Sequence, residues 1–120
     1  MVDDDEMIRR MAVGMARRIR VDMVTAGTAD EALELVRSSC IDVLLTDVLL
    51  GEGMDGIDLA RQIGATHPGL SVILMSGYEP SELDLEGLPE GTQFLVKPFN
   101  SQSLAQSITL ARQHGASTAR

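Results

Sequence analysis

Five side chains in this sequence have the types that phosphoryl and metal chemistry requires: three carboxylates, a hydroxyl and an amine. They are Asp3, Asp4, Asp47, Ser76 and Lys97, each at or just after the end of a short apolar run. If the runs are parallel strands, their carboxyl ends meet at one edge of a sheet, where α/β proteins bind ligands. Clustered carboxylates repel by roughly 4 kcal/mol at about 4 Å for an effective dielectric near 20, so either a proton is retained or a cation lies among them.

A cluster of oxygen ligands alone favours Mg²⁺, with Mn²⁺ as the alternative ion. A carboxylate such as Asp47 is a competent nucleophile for phosphoryl transfer and gives an acyl phosphate. Lys97 would pair with a phosphoryl oxygen and Ser76 would donate a hydrogen bond to one. The residues alone therefore predict a metal-assisted aspartyl-phosphate site.

A competing interpretation comes from the glycines after Asp47, which spell G-x-G-x-x-G at Gly51, Gly53 and Gly56. That pattern binds dinucleotides when it follows a strand and opens a helix. Here the preceding strand ends on a carboxylate, which would repel a pyrophosphate, and the chain is too short for a second nucleotide-binding half. The glycines are better interpreted as a tight turn beside the site.

The elements that position these residues alternate between strand and helix, which predicts an α/β fold with a mostly parallel sheet. Strands are predicted at residues 21–26, 41–47, 70–76 and 93–99, after a stub of two or three residues before Asp3. The first helix has a predicted apolar face of Met7, Ile8, Met11, Ala12, Met15, Ala16 and Ile19. A capping box at Thr28 and Glu31 is predicted to begin the second helix. The third helix is predicted to begin at Gly56 and to end before His67. The last helix is predicted to begin at Asn100 or Ser101 and to end at Gly115.

Length and composition predict a single domain over residues 1–115 and a disordered tail over 116–120. A net charge of −8 argues against direct nucleic-acid binding. No apolar run approaches the roughly 20 residues of a membrane span and no signal peptide is visible, so we expect a cytoplasmic protein without membrane contact. The single cysteine, Cys40, is expected to be a small buried hydrophobic residue.

Four separated motifs resemble the receiver domain of bacterial two-component response regulators. They read VDDDE, LLTDVLLGEGMDGIDLARQI, VILMSGYEP and FLVKPF, in this order and spacing, and the likeness runs from Val2 to about Gln113. The resemblance implies a flavodoxin-like, doubly wound fold, with five parallel strands in the order 2-1-3-4-5 and helices on both faces. It also implies a phosphoprotein that takes a phosphoryl group from a histidine kinase or a histidine phosphotransfer domain, changes conformation and slowly hydrolyses the phosphate, without being a conventional enzyme.

The resemblance assigns a role to each matching residue. Asp47 matches the phosphoacceptor, Asp4 a direct Mg²⁺ ligand and Asp3 a ligand through water. The backbone carbonyl of Leu49 matches the third protein ligand, and Ser76 matches the switch hydroxyl. The remaining matches are Lys97 as the phosphate-binding lysine, Pro98 with a cis Lys97–Pro98 peptide bond, and Phe94 as the switch aromatic.

Four features depart from the family pattern. The stub before Asp3 is shorter than the family's first strand, so we expect an N-terminal truncation and a higher melting temperature when four apolar residues are restored. The loop after Asp47 is one residue longer, as in receivers attached to hybrid sensor kinases. The fourth helix is reduced to PSELDLEGLPEG, and we expect no output domain within these residues. The downstream protein or linked domain is therefore not identified by the sequence. The chain is either a stand-alone receiver or one excised from a larger protein. The sequence also leaves undecided whether the domain forms a homodimer.

Two rival functions remain. A receiver-like adaptor would bind a partner without phosphorylation, which a misplaced Asp3 and Asp4 would favour. A hydrolase of the haloacid dehalogenase kind also uses an aspartyl phosphate, but it needs a second aspartate two residues after the nucleophile, where this chain has Leu49.

Overall fold

The structure, a computed structural model, describes residues 1–51, 55–77, 86–89 and 91–118. Its helices are α1 (Glu6–Arg18), α2 (Ala29–Ser38), α3 (Gly56–Thr66) and α4 (Ser101–Thr118). Its strands are β1 (Val43–Asp47), β2 (Ser71–Ser76) and β3 (Gln93–Val96). Within these residues, no helix combines the length and the apolar character that crossing a membrane requires.

The three strands form a parallel sheet in the order β1-β2-β3, as expected for an α/β fold. Every residue of β2 is buried, because strands flank it on both sides and helices cover both faces. The strands are shorter than the apolar runs that predict them. The last strand in particular ends at Val96 instead of Phe99, because Pro98 has no N–H to donate to a ladder.

The N-terminal segment lies inside the same sheet. Val2 forms parallel bridges with Ala26 on one side and with Thr46 of β1 on the other. The predicted order 2-1-3-4-5 is therefore kept, although the first two of the five predicted strands are single bridges. The predicted strand at residues 21–26 is wrong in extent, because only Met1–Asp3 lies beside it to complete a ladder.

Alternate residues of the strands pack into two cores, one on each face of the sheet. Leu44, Val72 and Leu74 face α2 and α3, whereas Leu45, Ile73 and Met75 face α1 and α4. This alternation is the period of a pleated strand covered on both sides. The fold is therefore doubly wound, as the sequence predicts.

The helix starts agree with the sequence. Thr28 caps α2 as predicted, since the Glu31 N–H donates to the Thr28 hydroxyl at 3.2 Å. The reciprocal bond differs from that of a capping box, because the Glu31 carboxylate accepts from the Gly27 N–H, at 3.4 Å, one residue before the cap. Of the two candidates for the last helix, Asn100 is the cap, because its side chain accepts from the Ser103 N–H at 2.8 Å.

Three local predictions are wrong. α4 continues through Gly115 to Thr118 instead of ending at Gly115, because a glycine that keeps helical backbone angles weakens a helix without ending it. Cys40 is exposed, because it lies in the turn between α2 and β1. Met7 and Met11 leave 71% and 53% of their surface exposed, because α1 packs on the core through Ala12 and Ala16, with Ile8, Met15 and Ile19 half-buried beside them. The reduced fourth helix is predicted in residues 80–91, of which residues 80–85 and 90 lie outside the described residues.

Candidate active site and metal centre

Strand register brings the predicted residues of β1, β2 and β3 to one edge of the sheet. Asp47 ends β1 and pairs with Met75, and Ser76 ends β2 and pairs with Val96. Lys97 follows directly, and its N–H donates to the Ser76 carbonyl at 2.9 Å. The short strands therefore end together, as a parallel sheet requires for a ligand site.

The acidic pair reaches the same edge through the N-terminal segment. The Asp47 N–H donates to the Val2 carbonyl at 3.0 Å, and the Asp3 N–H donates to the Ala26 carbonyl at 3.1 Å. Asp3 is buried and Asp4 is exposed. Carboxylate oxygens of Asp3, Asp4 and Asp47 all lie within 4.8 Å of one another.

Lys97 provides a positive charge within this cluster. Its Nζ lies 2.7 Å from the Asp47 carboxylate and 3.5 Å from that of Asp3. Burial lowers the pKa of Lys97, but the hydrogen bond and the charge of Asp47, together with Asp3, outweigh it and raise the pKa above its usual range. Lys97 therefore keeps its proton and partly balances the two carboxylates.

Asp3 is the buried carboxylate of the cluster. Burial raises the pKa of its carboxyl group, and the charge of Asp47 adds to this effect, while the Asp5 N–H and Lys97 oppose it. The Asp5 N–H donates to the Asp3 carboxylate at 2.9 Å, and the Arg9 guanidinium donates to the Asp3 carbonyl at 2.7 Å. The segment that carries Asp3 is thus fixed by contacts to the first turns of α1.

The loop after β1 holds Asp47 from its backbone side. The Leu49 N–H donates to the Asp47 carboxylate at 3.2 Å, and the Thr46 hydroxyl donates to the Asp47 carbonyl at 3.0 Å. The chain then returns to the same carbonyl at Gly56, where an added Cβ would lie 1.7 Å from the Asp47 oxygen. Only glycine allows α3 to begin so close to the end of β1.

Gly51 lies on the other side of the acidic cluster. Its φ is +67°, and an added Cβ would lie 3.0 Å from the Asp4 carboxylate. Gly51 and Gly56 therefore each lie beside an acidic residue of the cluster. Gly53 lies outside the described residues, so the tight turn stays a prediction.

The predicted switch residues lie on the neighbouring strands. Ser76 is buried at the end of β2, and Phe94 is half-buried on β3, opposite Leu74 and packed against the core shared with α2 and α3. The Lys97–Pro98 peptide bond is cis, as the resemblance implies. The Ser76 hydroxyl and the Phe94 ring therefore lie on adjoining strands, and Lys97 directly follows the strand that carries Phe94.

Four supporting residues escape the sequence reasoning: Asp5, Arg9, Thr46 and the backbone N–H of Leu49. The Asp5 side chain accepts from the Met7 N–H at 2.9 Å and caps α1, a signal visible as an aspartate before a helical pattern. The side chains of Arg9 and Thr46 donate hydrogen bonds to the backbone carbonyls of Asp3 and Asp47. No sequence pattern indicates such contacts.

The donor set of the cluster fits a hard divalent cation. It consists of three carboxylates, of which Asp3 is buried, Asp47 half-buried and Asp4 exposed, with no nitrogen or sulfur ligand among them. Mg²⁺ prefers one or two carboxylates together with water. The exposed Asp4 leaves the cluster open to solvent on one side. Of the predicted metal ligands, Asp3, Asp4 and Asp47 come together in this way, and Leu49 adjoins them through its backbone N–H.

An apolar groove adjoins the cluster on the α1 side. It has a volume of about 260 Å³ and is lined by Ile8, Met11, Ala12 and Met15 of α1 and by Lys97, Pro98 and Phe99. The groove therefore connects the exposed part of α1 with the lysine that contacts Asp47.

The chain is similar to known proteins over nearly its whole length. The family model of the response regulator receiver domain matches residues 1–109. The transcriptional regulatory protein ZraR of Escherichia coli (strain K12) is 32% identical over 114 residues, which are 94% of this chain and 26% of that protein. The DNA-binding transcriptional regulator NtrC of the same strain is also 32% identical, over 94% of this chain and 24% of its own length.

Structural similarity agrees with the sequence comparison. The receiver domain of NtrX from Brucella abortus superposes with a TM-score of 0.83 and 28% identity, over 93% of this chain and 95% of that domain. This chain spans about a quarter of the length of the curated relatives. The matched family, the α/β fold and the strand-end cluster agree, and the chain belongs to the response regulator receiver domain family of two-component systems.

Proposed function

We propose that this domain is a signalling switch that accepts a phosphoryl group on Asp47 from a phosphohistidine. One observation carries the proposal: the Asp47 carboxylate lies at a strand end between the Lys97 ammonium at 2.7 Å and two further carboxylates within 4.8 Å. A nucleophile, a cation for the phosphoryl oxygens and a metal-binding cluster are thus side by side. The alternative, a phosphorylation-independent adaptor, gains support only from the shortness of the pairing ahead of Asp3 and Asp4, which consists of one bridge from Val2 to each neighbour.

In the proposed reaction an Asp47 oxygen forms a bond to phosphorus while the phosphorus–nitrogen bond of the phosphohistidine breaks. The electron pair of that bond stays on the imidazole nitrogen, which takes a proton from solvent. The Leu49 N–H orients the carboxylate, Lys97 pairs with a phosphoryl oxygen, and the Ser76 hydroxyl donates to another.

The cluster would hold Mg²⁺, or Mn²⁺, through Asp3, Asp4, Asp47 and the Leu49 carbonyl. In this arrangement the exposed Asp4 would bind the ion directly, and the buried Asp3 would bind it through a water molecule. When bound, the ion neutralises charge on the phosphoryl oxygens. Without a cation the cluster has three carboxylates and one ammonium, so the approach of a phosphoryl dianion is opposed by repulsion.

The conformational response would follow from the phosphate contacts of Ser76 and Lys97. A phosphoryl group shifts an equilibrium only by its different affinity for the two conformations. Because Phe94 is half-buried on the strand beside Ser76, it is the ring whose packing we expect to change when Ser76 turns to the phosphate.

Phosphorylation of Asp47 is tested by measuring intact protein mass after incubation with Mg²⁺ and acetyl phosphate. We expect a gain of one phosphoryl group that EDTA abolishes and that Asp47→Asn lacks. The variant is matched in size and removes only the nucleophilic charge. No gain in a folded protein would overturn the proposal and favour the adaptor.

The apolar groove beside Lys97 is the surface on which we propose that the histidine-bearing partner docks. A donor must bring its phosphohistidine to Asp47, and the exposed Met11 lies on a groove that ends at Lys97. A helix with an apolar face fits such a groove. The partner would be a histidine kinase or a histidine phosphotransfer domain.

The docking surface is tested with Met11→Glu, with Leu110→Glu on α4 as the control, because Leu110 is exposed to a similar extent. Transfer from phosphorylated histidine phosphotransfer proteins should fall by about tenfold or more in Met11→Glu alone. Phosphorylation by acetyl phosphate should be unchanged in both. Equal transfer by the two variants would exclude the groove as the docking surface.

We further propose that residues 1–115 form the receiver unit and act in the cytoplasm on a linked domain or a separate protein. The relatives are named as transcriptional regulators, and NtrC as a DNA-binding one, but this chain matches only about a quarter of each. Its net charge of −8 opposes direct contact with nucleic acid. The domain would therefore control its output through protein contacts.

A further inference from the structure

Three successive peptide groups carry the acidic pair, and each is held by a different hydrogen bond. In the first group the Asp3 N–H donates to the Ala26 carbonyl at 3.1 Å. In the second the Asp3 carbonyl accepts from the Arg9 guanidinium at 2.7 Å. In the third the Asp5 N–H donates to the Asp3 carboxylate at 2.9 Å. Arg9 is therefore the side chain that holds the peptide group between Asp3 and Asp4.

The peptide group between Asp3 and Asp4 determines where the Asp4 side chain points. The group is planar, so a bond to its oxygen restrains the ψ angle of Asp3 and the φ angle of Asp4 together. Asp4 is exposed, and its carboxylate has no hydrogen bond within the described part of the chain. The place of that carboxylate beside Asp3 and Asp47 is therefore set by the backbone that Arg9 holds.

Arg9 binds this carbonyl without pairing with a carboxylate. It forms no ion pair among the residues that the structure describes, whereas its neighbour Arg10 pairs with Glu6 at 2.9 Å. Lys97 is the basic residue that contacts the carboxylates of the cluster. Lys97 therefore contacts the charges of the acidic cluster, and Arg9 contacts its backbone.

Gly27 leaves the space that the Arg9 guanidinium occupies. A Cβ at residue 27 would lie 3.2 Å from Nη1 of Arg9 and 3.6 Å from its Cζ. The first of these distances is short for a van der Waals contact, and the guanidinium is the free end of a flexible side chain. A methyl group at Gly27 would therefore displace the guanidinium from the Asp3 carbonyl while leaving its charge in place.

We propose that Arg9 is a positioning residue of the metal centre, which directs the Asp4 carboxylate at the cation by holding the peptide group before it. This role rests on the proposed Mg²⁺ site. The charge of Arg9 repels a cation, whereas contacts that hold a metal ligand in place typically contribute about 10–100-fold to metal affinity. The hydrogen bond decides the sign, because Asp4 lies on the exposed side of the cluster, where salt and solvent screen the charge.

The test measures the Mg²⁺ dissociation constant by calorimetry at about 0.15 M salt. Arg9→Met should weaken Mg²⁺ binding by about tenfold or more, although it removes a positive charge. Arg10→Met is the matched control, because it removes the same charge from the next residue of α1 without touching the acidic pair, and its Mg²⁺ binding should be unchanged. Arg9→Lys keeps the charge and a donor, and should recover most of the lost affinity.

Gly27→Ala tests the same contact without changing any charge. Displacement of the guanidinium should weaken Mg²⁺ binding severalfold, whereas Gly69→Ala, whose new methyl group meets no atom within 4 Å, should leave it unchanged. Melting temperatures without divalent cations report whether each variant folds. If Arg9→Met does not fold, the comparison of Gly27→Ala with Gly69→Ala decides, and equal Mg²⁺ binding by these two would overturn the role of Arg9.

Mg²⁺ binding by Arg9→Met that equals or exceeds that of Arg10→Met would also overturn it, as would the absence of Mg²⁺ binding by the unchanged chain. Calorimetry needs no phosphoryl donor, so a failure of Asp47 phosphorylation leaves these results in force. In labelling with acetyl phosphate, Arg9→Met should match the unchanged chain at saturating Mg²⁺ and be slower only below saturation. A deficit that persists at saturation would contradict a role through the metal.

Discussion

The Lys97 ammonium donates a 2.7 Å hydrogen bond to the Asp47 carboxylate across 50 residues of sequence. The two residues meet because β1 and β3 flank β2 and all three strands end at one edge. The same ammonium lies 3.5 Å from Asp3. Lys97 is therefore the counter-charge on which the acidic cluster depends when no cation is bound.

Replacing Lys97 by Met should lower the free energy of unfolding by about 1–3 kcal/mol, because two partly or fully buried carboxylates lose their charged partner. Urea denaturation at neutral pH and low salt measures the change. Lys97→Arg keeps the charge and serves as the control. Unchanged stability in Lys97→Met would show that the pair contributes nothing to the folded state.

Asp3→Asn should stabilise the protein at neutral pH in the absence of divalent cations. Burial raises the pKa of Asp3 above its unfolded value, so the ionised carboxylate costs folding free energy at every pH above the folded pKa. That cost disappears as the pH falls through the folded pKa towards the unfolded one. Thermal melts of both proteins from pH 7 to pH 4 should therefore converge at the acidic end, and a constant difference would contradict the assignment.

Mg²⁺ should raise the melting temperature, because it binds the folded cluster of Asp3, Asp4 and Asp47 and not the unfolded chain. Above the dissociation constant, each tenfold increase in Mg²⁺ adds about 1.4 kcal/mol. Asp4→Asn should weaken this response while leaving the fold intact, since Asp4 is exposed. Asp30→Asn, an exposed acidic change on α2, is the control, and an equal response in both variants would place the cation elsewhere.

Gly56→Ala should lower stability by about 1–3 kcal/mol and displace Asp47, because the new methyl group would overlap the Asp47 carbonyl. Gly14→Ala in α1 meets no atom within 4 Å and should raise stability by about 0.5–1 kcal/mol. Thermal denaturation distinguishes the two substitutions. A neutral Gly56→Ala would mean that α3 can begin further from the end of β1.

Stability should rise between pH 6 and pH 8 through the Met1 amino group. Burial lowers the pKa of this amine from 8.0 to about 6, so the unfolded chain binds the proton more tightly across this range. The gain is about 2–3 kcal/mol at most. N-terminally acetylated protein lacks the titration and should lose this part of the slope, whereas an identical slope in the two forms would show that the Met1 amino group does not cause it.

The residues of the candidate site are predictable from the sequence because each follows a short apolar run. Asp47 and Ser76 end β1 and β2, and Lys97 follows β3, so recognising the runs is enough to bring them to one edge. Local signals predict the caps equally well, as Thr28 and Asn100 show. The exposure of Met11 and Cys40 is not predictable in this way, because it depends on how much of a helix or turn its neighbours cover.

The sequence by itself determines the family, the α/β alternation and the identity of the charged residues at the strand ends, because periodicity and residue type are local properties of the chain. Tertiary structure decides which strands find partners. Residues 21–25 are as apolar as a strand requires, yet only Ala26 pairs, since a ladder depends on the length of the segment beside it. Tertiary structure also decides that Asp3 is buried and Asp4 is exposed, because the burial of a side chain depends on atoms that lie far away in the sequence.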